Sequence, residues 1–383
     1  TDGKYVVKKK LLTGEVVDTL LNSMLFDEIK NRTIGSISVN KSNNKMLIST
    51  NEVPIYRNSF KAKYFVYDLN LKMLRPIFMP ERNVELAEFA PDDSTISFVD
   101  GNNNICTASN GNVTNITDNG KVNNIINGRS DWVYEEEFGL YKAYQWSPDG
   151  KYLAWLRFDE SGVPMFSLTY YDSLYPRIHN YKYPKVGSPN SKVTVCLFDV
   201  NSKKTTEIII PANPEYIRNI YWSLHSKYLA IETIDRFQQK LVMYSYDVER
   251  DSLLTIYQRS SSTFIDEMTY FTWLKDNRSF TMLNDDNGFY NISRYDLNGN
   301  LLCAVTNGKI DVTDVYCYDQ NEDYLYIQLA EPDAMNRRIY RVKTDGTSLG
   351  LISPENGTSF NPFFSPDFSA MIYSNSNANQ EFT

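Results

Sequence analysis

The sequence predicts an all-β protein, a β-propeller, on three observations. One turn-and-strand motif recurs along the chain. A second motif follows most of its copies. The composition favours strands, with 14% aromatic residues, 28 of them Tyr and 20 Phe. Aromatic side chains suit a pleated, half-buried surface better than a helical bundle.

The first copy of the motif is Asn40-Lys41-Ser42-Asn43-Asn44-Lys45-Met46-Leu47-Ile48, a polar turn running into an apolar strand. Phe89-Ala90-Pro91-Asp92-Asp93-Ser94-Thr95-Ile96 is the second, and Trp146-Ser147-Pro148-Asp149-Gly150-Lys151-Tyr152-Leu153 is the clearest. Trp222-Ser223-Leu224-His225-Ser226-Lys227-Tyr228, Trp273-Leu274-Lys275-Asp276-Asn277-Arg278-Ser279 and Tyr318-Asp319-Gln320-Asn321-Glu322-Asp323-Tyr324 follow, and Phe364-Ser365-Pro366-Asp367-Phe368-Ser369 closes the series. Ser-Pro-Asp-Gly is turn chemistry: Pro fixes φ, while Asp and Gly tolerate a tight reversal. An aromatic residue ends one strand and the apolar run starts the next, so each copy is a hairpin. The second motif is an alternating strand ending in Asp, as in Tyr64–Leu69, Val195–Val200, Tyr244–Val248 and Ile292–Leu297. Each unit therefore holds about four short strands, and roughly 45 to 75 residues separate successive copies, the signature of propeller blades. Seven blades are legible, and an eighth fits in the opening strands or in 101–128. A generic sandwich is the alternative, but sandwiches rarely repeat one turn seven times.

Two stretches depart from the rhythm. The spacing is longest after the third copy, where Tyr170–Pro176 and Tyr183–Gly187 read as an insertion at one face. The other is Asp131-Trp132-Val133-Tyr134-Glu135-Glu136-Glu137-Phe138, expected to form a short helical turn that breaks a blade. Three adjacent carboxylates repel one another. In a solvated helix start such a run means little, because acidic residues suit a helix N-terminus. The functional reading is that some of them converge on a cation, and a protonated amine offers three donors to acceptor-only groups.

The totals exclude several classes. A net charge of -8 with a pI near 5.1 leaves no basic face for nucleic acid. No apolar run approaches the roughly 18 residues that span a bilayer. Cys106, Cys196, Cys303 and Cys317 form no CxxC, and His179 and His225 are the only histidines, so no metal site or cofactor is expected. Cys303 and Cys317 could bridge neighbouring strands, but buried free thiols are the expectation.

In that order along the chain, the Asp-Trp-Val-Tyr-Glu-Glu-Glu run, the aromatic-Ser-Pro-Asp-Gly turn, Val163-Pro164 and Tyr183-Pro184-Lys185-x-Gly187 resemble the N-terminal propeller of the dipeptidyl peptidase IV family. The resemblance implies eight four-stranded blades over residues 1–383, the last incomplete because the chain stops at Thr383 just after the final turn. It implies that Glu136 and Glu137 hold the ammonium of a peptide substrate, with Glu135 turned away and structural. The segment Tyr56-Arg57-Asn58-Ser59-Phe60 resembles the one that carries an arginine near the substrate carbonyl, which makes Arg57 the candidate; a surface arginine without a role is the alternative. The implied function is to gate substrate and anchor its amino terminus for a serine dipeptidyl peptidase that releases X-Pro or X-Ala dipeptides. The implied partners are a C-terminal α/β-hydrolase domain and a second copy in a homodimer, in an extracytoplasmic compartment.

The family's nucleophile elbow, a G-x-S-x-G string set between a strand and a helix, is not expected in this chain, and two histidines outside any triad pattern assemble no serine hydrolase. No catalytic residue is therefore expected here, and the chain alone should be inactive. The rival reading is a non-enzymatic propeller, a protein-interaction or periplasmic binding module. It accounts for the blades and the acidity but not for the glutamate run between aromatic residues.

Overall fold

The structure, a computed structural model, describes residues 3–266 and 270–381. Successive antiparallel meanders fill it. A hairpin of Tyr5–Lys9 and Val16–Asn22 comes first. An eight-stranded sheet follows. It resolves into two four-stranded meanders, 34–76 and 84–115, joined where Lys61 and Ala62 pair with Glu85 and Val84. A five-stranded sheet spans 125–208, and four-stranded sheets span 216–260, 271–304 and 312–351. A hairpin of Thr358–Phe364 and Met371–Ser376 is last. These are the blades of a β-propeller, eight in chain order among the described residues. The last is two-stranded, as expected. So is the first, and the fourth carries five strands rather than four.

All seven copies of the turn motif form the hairpin between the first two full strands of a sheet, and they share one geometry. The N–H of the first turn residue donates to the carbonyl five residues on, from Asn40 to Lys45 through Ser365 to Ala370, at 2.8–3.1 Å. The N–H of the fourth residue returns to the carbonyl of the first. That fourth residue is left-handed every time: Asn43, Asp93, Gly150, Ser226, Asn277, Glu322 and Phe368 have φ of 54, 60, 72, 59, 55, 61 and 57°. The Asp of the second motif caps the turn after the third strand. Asp68, Asp199, Asp247 and Asp296 each accept two backbone N–H groups through Oδ1. These are Asx turns, which fix a reversal by hydrogen bonding the side chain to its own loop.

The chain divides into two compact units, Thr1–Ile220 with Glu232–Arg236, and Tyr221–Ile231 with Phe237–Thr383. In the first, Phe65, Met46 and Ile48 centre one buried cluster, Phe98 and Val84 another, and Trp155, Leu153 and Tyr144 a third. In the second, Ile292, Val312, Leu325 and Ile327 form the core. Alternate residues of each strand supply these clusters, as the two-residue period of a strand requires. The cysteines are free; Cys106 and Cys196 are buried, but Cys303 and Cys317 are only half-buried. Among the described residues no group of His, Cys, Asp or Glu could hold a metal ion.

The sheet of 125–208 is broken at its first strand, and the break carries the glutamates. Ile125–Asn127 pairs with Arg157–Asp159, and Tyr144–Trp146 pairs with Leu153–Trp155, so 128–143 bulges out between them. The bulge is pinched at its neck by Ala143 N–H on the Gly128 carbonyl and by pairing of Arg129 with Lys142. Gly128 sits at φ 78°, and a Cβ there would lie 2.8 Å from Ile105 Cδ1, so only glycine lets the chain leave the strand at this point.

Candidate functional site

The bulge folds into a seven-residue helix, Trp132–Phe138. A helix of two turns is not stable alone. Its ends and its buried face hold it. Asp131 is the N-cap: Oδ1 accepts the Tyr134 N–H at 3.0 Å, and Oδ2 accepts the Ser191 hydroxyl at 2.6 Å. Burial pushes the Asp131 carboxyl upward, while those two donors and Arg129 oppose the rise. Gly139 closes the helix at φ 65°, its N–H on the Tyr134 carbonyl. Tyr134 is buried; its hydroxyl accepts the Ile217 N–H at 2.9 Å, and its ring meets Phe158 edge-on at 4.8 Å. At the last turn Phe138 packs on Tyr216 and lies under the Arg218 guanidinium.

Successive helix positions are rotated by about 100°. The three glutamates therefore point three ways, and their crowding is relieved. Glu135 is 2% exposed and turned inward. It accepts the N–H groups of Asn58 and Ser59 at 2.6 and 2.7 Å and the Ser59 hydroxyl at 2.7 Å. Glu136, with 17% of its side chain exposed, accepts Arg57 Nε at 2.8 Å. Glu137 is exposed.

Of the three site residues read from the sequence, the structure brings Glu136 and Arg57 together across 79 residues of chain. It sets Glu137 beside them on the helix without bonding it to either. Topology explains the meeting. The Arg57 loop joins the second and third strands of its sheet, and the helix interrupts the first strand of another sheet near its beginning. Both lie at the same ends of their antiparallel strands. The insertion after the third turn lies there too, as a two-stranded arm of Met165–Tyr170 and Arg177–Lys182.

Sequence reasoning did not find the aromatic wall that joins these pieces. Trp132 shares a helix face with Glu136, four residues on. It meets Tyr183 at 4.5 Å; Tyr183 meets Phe166 at 5.4 Å; and Tyr181, next in the arm, meets Tyr56 of the Arg57 loop at 6.4 Å. Lys185 rides over the Phe166 ring. The signal was the Tyr183-Pro184-Lys185 segment, whose role needed the fold to be seen.

Behind the helix lies a buried ionic group. Arg129 donates to Asn103 and to the Ser130 carbonyl and lies 3.5 Å from Glu85. Burial pushes the Glu160 carboxyl up to about 7; Arg129 and Lys182 oppose this, and Asp131 and Asp159 add to it. Tyr56 is likewise pushed up to about 12, chiefly by burial. A carboxyl raised in the folded state favours folding below its unfolded value and loses that contribution as pH climbs through the folded one. The chain should therefore lose stability between about pH 4.5 and about pH 7 through this group. Glu160→Gln, which cannot ionise, should have the higher urea midpoint at pH 8 and no advantage at pH 4.5. Equal midpoints at pH 8 would show that Glu160 stays comfortably charged.

The profile of the family described as Dipeptidyl peptidase IV (DPP IV) N-terminal region matches residues 40–381. A probable dipeptidyl peptidase 4 from Arthroderma benhamiae is 32% identical over 317 residues, 78% of this chain and 40% of that protein. Dipeptidyl peptidase 4 from Trichophyton tonsurans is 31% identical over the same shares. The crystal structure of Porphyromonas gingivalis dipeptidyl peptidase 4 superposes with a TM-score of 0.90 at 29% identity, over 100% of this chain and 54% of that one. The chain thus spans 40% to 54% of the length of these proteins.

Proposed function

The chain belongs to the dipeptidyl peptidase IV N-terminal region family, and from that premise we propose that its propeller captures the free amino terminus of a peptide for a serine dipeptidyl peptidase. The observation that carries this reading is the Glu136–Arg57 pair beside the exposed Glu137, on a helix pinned at both ends.

The chemistry follows from the groups. An ammonium has three N–H donors, and two carboxylates on one short helix supply acceptors for them. Each charge-assisted bond contributes about 1.5–3 kcal/mol where water is excluded. Arg57 spends its Nε on Glu136, which holds that carboxylate in place and leaves the rest of the guanidinium fork for a substrate carbonyl. Fixing the amino end fixes the distance to the scissile bond and turns binding into alignment. The cut itself falls to a C-terminal α/β-hydrolase domain, since the G-x-S-x-G string of this chain, Gly346–Gly350, turns between the paired strands Arg338–Lys343 and Leu349–Leu351 and forms no elbow between strand and helix. By family likeness the second substrate residue is proline or alanine.

The test separates an ammonium anchor from a general peptide-binding propeller. Full-length protein carrying this chain is given an X-Pro peptide with a free amino terminus and the same peptide N-acetylated. Release of the dipeptide should be at least about a hundredfold slower from the acetylated peptide, since two charge-assisted bonds are lost. Equal release from both would defeat the assignment.

A further inference from the structure

We propose that Glu135 is a positioning residue for Arg57, and that it sets where the guanidinium meets Glu136. This deepens the ammonium-anchor reading and rests on it for its consequence.

Arg57 stands at the tip of a five-residue loop, Ile55–Ser59, between strands whose last pair is Pro54 with Phe60. The loop closes on itself through Ile55 N–H on the Ser59 carbonyl at 2.9 Å, and through Tyr56 N–H on the Ser59 hydroxyl at 3.3 Å. Those bonds shape the tip but do not aim it. The Arg57 side chain is 72% exposed, and a long exposed side chain on a free tip loses much entropy when fixed.

Glu135 supplies the aim. One oxygen, Oε1, collects the consecutive N–H groups of Asn58 and Ser59, and Oε2 takes the Ser59 hydroxyl. Consecutive backbone N–H groups converging on one anion form a small nest, and the bonds are short and charge-assisted. The bond partners lie 76 and 77 residues from Glu135 and belong to another sheet. The next residue of the same helix, Glu136, holds the Arg57 side chain. Two neighbouring carboxylates thus clamp one loop, one at its backbone and one at its tip. If Glu135 lets go, the Arg57 backbone loses its fixed distance from the helix, and the Glu136–Arg57 bond loses its geometry.

A purely structural Glu135 would stiffen the helix and affect every property of the site. A positioning Glu135 acts through Arg57 alone, and that difference is measurable. In the full-length protein carrying this chain, crystal structures of Glu135→Ala, Glu135→Gln and Ser59→Ala report the Arg57–Glu136 distance. Titration with glycyl-proline amide reports ammonium binding in each variant, with and without Arg57→Ala. The Ala variant at 135 should break the 2.8 Å contact and weaken the dipeptide amide about tenfold, but should weaken it no further once Arg57 is gone. Glu135→Gln, whose carbonyl still accepts both N–H groups, should recover most of the loss. It and Ser59→Ala carry the test should Glu135→Ala fail to fold. An intact Arg57–Glu136 contact in Glu135→Ala or Ser59→Ala, or an equal penalty in both Arg57 backgrounds, would overturn the proposal. A contact that breaks in a protein that never bound the dipeptide amide would uphold the positioning role and reject the ammonium reading instead.

Discussion

Replacing Glu136 and Glu137 together by glutamine should lower kcat/KM for dipeptide release from the full-length protein by at least about a hundredfold, with the fold left intact. Two charge-assisted bonds of about 1.5–3 kcal/mol each are removed, which corresponds to about 10²–10⁴ in rate. Glutamine has nearly the shape of glutamate but turns an acceptor-only group into one that also presents N–H donors, which face the ammonium's own donors. The change is therefore worse than the loss of charge alone. Stability should scarcely move. Glu137 is exposed, and the Glu136–Arg57 pair has its guanidinium 72% exposed, in the range where ion pairs are worth about 0–1 kcal/mol.

The single variants divide the effect. Glu137→Gln should act on the peptide ammonium alone. Glu136→Gln should also free Arg57, so its penalty should overlap with that of Arg57→Ala rather than add to it, as groups in direct contact do. N-acetylated substrate should be nearly indifferent to Glu137→Gln. The decisive measurement is kcat/KM for the double variant on a free X-Pro peptide. A value equal to that of the unmodified protein would mean that the amino terminus is held elsewhere.

The blades were legible because one local geometry repeats. The left-handed fourth position of each turn is written openly by Gly150 and plainly by Asn43, Asp93 and Asn277, whose short polar side chains tolerate it. Ser226, Glu322 and Phe368 give no such sign; there the neighbouring aromatic residue and the apolar strand carried the reading. The opening strands are one of two places the sequence offers for the eighth blade, and nothing local decides for them, because their loop, Leu11-Leu12-Thr13-Gly14, shares nothing with the motif. The glutamate run announced a site, and helix geometry alone says that three neighbours diverge. It does not say which one turns inward. That is fixed by the rotation of the helix about its axis, which depends on Tyr134 entering the core beside Phe158 and on Ser59 waiting 76 residues away. The local sequence contains neither partner.

The same dependence on distant partners makes Arg218 the most vulnerable charge in this part of the chain. Its guanidinium lies 3.7 Å from Glu232, and both side chains are 3% exposed. It also sits 5.2 Å over the ring of Phe138, the last residue of the glutamate helix. A cation there is favourable twice, through the aromatic face and through the negative end of the helix. Arg218→Ala should cost about 3–5 kcal/mol, because it leaves the Glu232 carboxylate buried without its counter-charge. For a compact unit of this size that is a fall in Tm of about 5–10 °C. Replacing both partners by methionine should restore more than half of the loss, since apolar side chains of similar volume carry no stranded charge. The site should not recover with the fold. With no cation over Phe138, the C-terminal end of the helix is held less firmly, and peptide affinity should stay below that of the unmodified protein. Thermal melts of the single and double variants, paired with dipeptide-amide titrations, check both halves. A single variant within 1 kcal/mol of the parent would show that Glu232 finds another partner. A double variant with full affinity would show that the helix needs no cation beneath its last turn.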